Sequence, residues 1–349
     1  MNARRLTKIL VSSAIVCGAS VLAHGCNLFP NFKSPSVVDS VRVLAVRADK
    51  PYANPGDTVK LEILALDGRA NKPRPMKVFW LPFPCMNPRK VADDCYPGFA
   101  DHLQPHADLT SVLPSGDSLS IDVPLDAIGA PAGESGQLSY GRMVVFEVAC
   151  AGHVEYLGKV ASLAEDAVPL GCFDEEGNAL GQPDFMVAYA VVSVVLPVVP
   201  PITNQNPVIE GVLLDRQPVD PAAGITLPHC TAQGDQRCSL SALSSAIPET
   251  SWEENPFFAG VDTDGGTGGA PGDTGTGTGL AKENIWVEYY VTQGSALGSP
   301  ALAWDSYLGR VNDAVAYRPP KAPGEGVLYA VVRDDRGGVS WWQTALHIQ

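Results

Sequence analysis

The sequence predicts an all-β protein built from two β-sandwich domains behind an exported N-terminal segment. Three observations carry this. Gly 34 and Pro 30 are high for a helical chain and suit short strands joined by turns. Several runs alternate apolar and polar residues with period two. A chain of 349 residues, 45% hydrophobic and 18% charged, can bury the cores of about two domains.

The N-terminal segment sets the compartment. Arg4, Arg5 and Lys8 precede an apolar stretch from Ile9 to Ala23 that is broken by Ser12, Ser13, Gly18 and Ser20. A positive start, a short apolar run and small residues at its end describe a signal peptide over 1–25. The run is shorter than the roughly 20 residues that a permanent membrane helix needs. Residues 26–37, with Pro30 and Pro35, follow as a tether.

The first domain is expected over 38–200. Val41–Arg47 opens it, the turn-rich 50–57 follows, and Val59, Leu61, Ile63 and Ala65 alternate as one face of a half-buried strand. Further strands are expected at Met76–Leu81, Ser118–Val123, Arg142–Cys150 and Phe185–Leu196. The last is nearly continuous in Val and Ala and is expected to be buried on both faces. Pro197, Pro200 and Pro201 end it and mark the boundary.

The second domain, 203–349, is expected to hold strands at Ile285–Val291, Gly326–Arg333 and Gly338–Ile348. Asp334-Asp335-Arg336-Gly337-Gly338 is a hairpin turn with glycine supplying positive φ. Between Asp262 and Gly279 lie eight glycines in 18 residues, read as a surface loop inside this domain. Trp341 and Trp342 point to opposite faces of their strand: one can fill the core, which leaves the other exposed for carbohydrate or protein recognition or covered by a neighbouring element, and core or inter-domain packing is the reading taken.

Two resemblances sharpen these readings. Ala23-His24-Gly25-Cys26 resembles the lipobox of bacterial lipoproteins, which implies a diacyl or triacyl (palmitate-bearing) Cys26 as the first mature residue. Ala23 and Gly25 would also suit an ordinary signal peptidase, which would leave a free thiol. Cysteine parity supports the lipobox reading. Cys17 leaves with the leader, and lipid on Cys26 leaves six cysteines that can pair. Sequence neighbours are the expected pairs: Cys85–Cys95, Cys150–Cys172 and Cys230–Cys238. Pro55-Gly56-Asp57-Thr58-Val59-Lys60-Leu61 resembles the opening of bacterial immunoglobulin-like modules. Tyr317–Gly324 with the final two strands is similar to the end of a polycystic-kidney-disease-type module. Both imply immunoglobulin-like sandwiches that adhere or space.

Function classes narrow by exclusion. The formal charge is −14, and about −17 without the leader, which lacks the basic footprint of nucleic-acid binding. It also gives no polybasic attraction to lipid, so the acyl chains alone are expected to hold the protein. No G-x-S-x-G elbow, S-x-x-K or phosphate-binding loop occurs. Ser135 is read as a turn residue. Asp262, Asp264 and Asp273 are candidate calcium ligands, but the string lacks the later ordered ligands of a calcium loop, so a solvated linker and no metal is the reading taken.

His102 and His106, with Asp101 and Asp108, are read as an exposed loop because Pro105 interrupts a helix. His229 lies beside a disulfide cysteine, and the pairs Asp93-Asp94 and Glu175-Glu176 are read as solvated charge. The expectation is a non-catalytic lipoprotein of the cell envelope without a cofactor, held by its acyl anchor and binding a protein or glycan partner. Asn27 in place of Asp after the cysteine favours the outer over the inner membrane. The alternatives are an envelope hydrolase or metal-dependent enzyme using loop Asp, Glu or His residues, and a calcium-stabilised adhesin.

Overall fold

The computed structural model describes residues 34–128, 140–158, 167–197, 203–231, 238–253, 282–306 and 308–349. Strand takes 48% of the described residues and helix 5%, which fixes the all-β class. Cys26, where lipidation is expected, the Gly-rich tract with Asp262, Asp264 and Asp273, and Ser135 lie outside the described residues.

The first sandwich holds β1 (Val41–Ala48), β2 (Tyr52–Ala53), β3 (Thr58–Asp67), β4 (Lys77–Trp80), β5 (Cys85–Met86) and β6 (Ser118–Asp122). It continues with β7 (Tyr140–Cys150), β8 (His153–Tyr156), β9 (Leu170–Phe173), β10 (Ala179–Leu180) and β11 (Phe185–Val195). One sheet runs β1-β3-β6 and the facing one β2-β11-β7-β4, with β5 extending the edge along β7. A helical turn α1 (Val91–Cys95), a 3-10 turn at Tyr96–Asp101 and the small sheet β10-β9-β8 belong to this half.

The second sandwich begins with β12 (Gly211–Leu214), β13 (Gln217–Pro218), β14 (Ile225–Leu227) and β15 (Ser241–Ala246). Then come β16 (Ile285–Val291), β17 (Ser295–Leu297), β18 (Ala301–Asp305), β19 (Gly309–Arg310), β20 (Val315–Arg318), β21 (Gly324–Asp334) and β22 (Val339–Ile348). Its sheets run β13-β12-β15-β20-β17 and β14-β22-β21-β16-β18-β19.

In both sandwiches the opening strand divides between the sheets. β2 pairs parallel with the last strand β11, and β14 pairs parallel with β22, while the remaining ladders of the main sheets are antiparallel. That division, with antiparallel partners in two facing sheets, is the immunoglobulin-like arrangement.

Alternation along β7 explains the layering. Met143, Val145 and Ala149 enter the core between the two sheets of the first sandwich. Val144, Phe146, Val148 and Cys150 face the opposite way, under the cover of Phe99, Leu103, Leu109 and Leu170. The strand expected to be buried on both faces was β11, but β7 is the one so buried. Most of β11 is only half-buried, and Tyr189 is 50% exposed.

The sandwiches stack face on face. Val38, Leu44, Ala45 and Leu64 of the first half pack against Tyr329, Val331 and Val339 of the second. Trp342 packs on the second core, while Trp341 joins this contact layer beneath the Arg47 guanidinium, 4.5 Å from the ring centroid. Leu44 sits at a register shift in β1, and its carbonyl accepts from Arg333 Nη2 at 2.6 Å. Trp341→Ala is expected to cost about 2–3 kcal/mol, below the value for a fully buried Trp because the ring is half-buried; chemical denaturation checks this.

The chain enters through the second half. Residues expected to be free tether are packed: Val37 bridges Val291 in parallel, Val38 N donates to Val291 O, and Val291 N donates to Ser36 O. Buried Ser36 also accepts from Ala296 N through its hydroxyl at 2.9 Å.

Candidate functional site at the junction of the sandwiches

Of the expected chemical groups, His106 and Asp108 both adjoin Glu155, while the others lie on separate segments. His102 stacks on Phe83 at 4.4 Å. His106 lies 4.0 Å from Glu155, which His153 Nε2 contacts at 3.0 Å. Asp108 accepts from Thr110, and Asp94 accepts from the Arg89 and Lys90 amides ahead of α1. Asp93 pairs with Lys90 at 3.3 Å, Glu175 and Glu176 stand exposed in a turn, and His229 Nδ1 is 2.8 Å from Gln349 O. Among the described residues no group of three or more His, Cys, Asp or Glu is arranged to hold a metal ion.

All three neighbour disulfides form: Cys85–Cys95, Cys150–Cys172 and Cys230–Cys238, with Cα separations of 5.5, 5.8 and 5.3 Å. Cys150–Cys172 ties the covering sheet to the end of β7 across 22 residues. Replacing both cysteines by alanine is expected to cost about 3 kcal/mol, from the loop that the bond closes; urea unfolding measures it.

The densest polar constellation was not foreseen. It gathers four separated segments at the junction, centred on Arg336 in the turn between β21 and β22. Gly337, at φ +99°, makes that turn, and a Cβ on Gly338 would run into the Asp334 carboxylate. Arg336 is buried, and its Nε donates to Glu283, Nη2 to Glu253 at 2.8 Å and Nη1 to Thr203 O at 3.2 Å. Its guanidinium lies 5.8 Å from the ring centroid of Tyr52 in the first sandwich.

Asp334 closes the turn by accepting from Arg336 N at 2.8 Å and Gly338 N at 2.7 Å. Asn204 Nδ2 approaches its other oxygen at 3.4 Å, and Asp335 accepts from Asn284. Asn206 then joins the two halves directly. Its amide donates to Ala48 O of the first sandwich and accepts from Val339 N of the second, both at 2.8 Å.

Burial shapes the charges here. Loss of water pushes Glu283 up to about 7, with Arg336 opposing the shift and Asp334 reinforcing it. Burial also raises Asp334, against the pull of the Gly338 and Arg336 amides and the Arg336 charge. For Arg336 burial works against the charge, but Glu283 outweighs it and the guanidinium stays protonated. The chemistry of this arrangement is a charged lock: its carboxylates are engaged by one guanidinium and by backbone donors.

A second buried carboxyl stands alone. Glu147 sits in the inward register of β7, opposite Trp80 and Ala188, with neither oxygen hydrogen-bonded at ordinary geometry. Loss of water raises it well above the usual carboxylate range, with only the Ala190 amide favouring the charged form.

Strand order and layering define the class as a two-module immunoglobulin-like β protein. No protein-family model matches the chain, and no curated protein does. Among solved structures it is similar to tandem Ig repeats of Dlar, at 10% identity and TM-score 0.22 over 89% of this chain and 99% of that one. Escherichia coli alpha-2-macroglobulin activated by porcine elastase gives 10% and 0.20, over 90% of this chain and 22% of that one. The protocadherin GammaB4 extracellular domain gives 11% and 0.17, over 87% and 34%. The chain thus spans only about a fifth of the macroglobulin and a third of the protocadherin. At such overlaps the class rests on the strand order itself.

Proposed function

We propose that this chain is a lipid-anchored cell-envelope lipoprotein whose two sandwiches act together as a non-catalytic binding or structural block. The carrying observation is the cysteine pattern. Six of the seven cysteines beyond residue 25 are taken up by three disulfides, which leaves Cys26, at the end of the Ala23-His24-Gly25 run, for the lipid. The disulfides also fit an oxidising compartment. The block reading is supported by the apolar layer and the Arg336 lock, which spend the buried polar groups on joining two halves. Outer-membrane residence and a protein or glycan partner complete the proposal.

Cells fed an alkyne-labelled palmitate are expected to label the wild-type protein and not Cys26→Ser, and the mature protein is expected to float with outer-membrane fractions. Intact mass showing an unmodified thiol at residue 26 would refute the anchor. Live-cell cross-linking that recovers no protein or glycan partner would count against the binding role.

A further inference from the structure

Strand registers give the described molecule two distinct ends. At one lie Val41 opposite Asp67, Phe185 opposite Cys150, Val291 opposite Leu328 and Gly324 opposite Ile348. At the other lie Thr58 opposite Asp122, Tyr140 opposite Val195 and Ile285 opposite Asp334. The two sandwiches share this polarity, since Arg42 covers Tyr290 at 5.4 Å and Arg47 covers Trp341 at 4.5 Å. Pro35–Val38 is hydrogen-bonded at the first end, and the Arg336 lock lies at the second.

We infer that the end carrying Pro35 and Val41 faces the lipid surface and that the Arg336 end projects away from it. This rests on Cys26 bearing the acyl chains. Only nine residue steps separate Cys26 from Pro35, and they span at most about 30 Å fully extended. The eleven residues of β7 and of β11 each run about 35 Å at the ordinary strand rise. A leash that starts at the strapped end is therefore too short to bring the opposite end onto the bilayer.

The strap also fixes the leash at its exit. Val37 is paired with Val291 and Ser36 is buried, so the chain is held in the fold from Ser36 onward. Large exposed apolar residues of the far end, Leu125, Tyr140, Leu196, Val208 and Leu308, are then held clear of lipid and turned toward the aqueous side.

The test uses the full lipidated protein in vesicles of phosphatidylethanolamine and phosphatidylglycerol carrying a headgroup-linked energy acceptor. A donor dye is placed through Asn71→Cys or Lys321→Cys at the strapped end, and through Asp126→Cys or Glu249→Cys at the far end, one site of each kind per sandwich. All four side chains are exposed, and unchanged melting confirms each variant is folded. Transfer from Asn71→Cys and Lys321→Cys is expected to exceed that from the far pair at least threefold. Equal or reversed transfer in protein that floats with the vesicles overturns the orientation and leaves the anchor standing. Protein that does not float removes the anchor and the orientation with it.

Discussion

Arg336→Met is expected to lower stability by about 3–5 kcal/mol at pH 7.5, because removing one partner of a buried ion pair strands the other. Three carboxylates surround the guanidinium, and Glu283 and Asp334 are buried. Arg336→Lys should recover only part of the loss, since a compact ammonium cannot reach Glu283, Glu253 and the Thr203 carbonyl in one geometry. The defect also carries a pH signature. Glu283 is already raised to about 7 with arginine present. A raised carboxyl favours the folded state fully below its unfolded value near 4.5 and loses that contribution as pH climbs through the folded value. Without the guanidinium the carboxylates are raised further, so the deficit should be large at pH 7.5 and shrink toward pH 5. Thermal melts of both variants across that range measure it; a deficit independent of pH argues that Arg336 contributes through packing alone.

Glu147→Met should do the reverse and stabilise the protein. The wild-type carboxyl has no hydrogen-bond partner of ordinary geometry, and it lies opposite Trp80 of the apolar first core. Its folded pKa lies well above 4.5, so wild-type stability declines as pH rises from there toward the folded value. The gain from Glu147→Met is therefore expected to be larger at pH 7.5 than at pH 4, because only the higher pH drives the wild-type carboxyl to ionise in an apolar site. Denaturation midpoints at the two pH values decide the matter. Parallel profiles for wild type and variant would show that Glu147 ionises without penalty.

Much of the fold was legible because it rests on period-two burial. Ile285–Val291 alternates perfectly, with Ile285, Val287, Tyr289 and Val291 inward, and its ends match the structure residue for residue. The paired tryptophans and the neighbour disulfides followed from pleat and spacing. Pieces too short to show a period were not legible: two-residue β2 and β10, and the Pro35–Val38 segment, which is held by one bridge at Val37 and a few hydrogen bonds.

The junction was hidden for a different reason. Thr203, Glu253, Glu283 and Arg336 are far apart in sequence, and each by itself has the composition of solvated loop charge. Glu147 did leave a signal. Within the apolar run of β7 it occupies the register of Met143, Val145 and Ala149, all inward, where a charge conflicts with the pattern. The swap of burial between β7 and β11 shows the limit of composition. The Val- and Ala-rich run of β11 suits either place in the sheet.

The central claim is that the sandwiches form one block rather than two modules on a linker. Differential scanning calorimetry of the detergent-solubilised mature protein, disulfides intact, tests it most directly. One transition, with equal calorimetric and van 't Hoff enthalpies, is the predicted result. Two separable transitions, unmoved relative to one another by Arg336→Met, would contradict it.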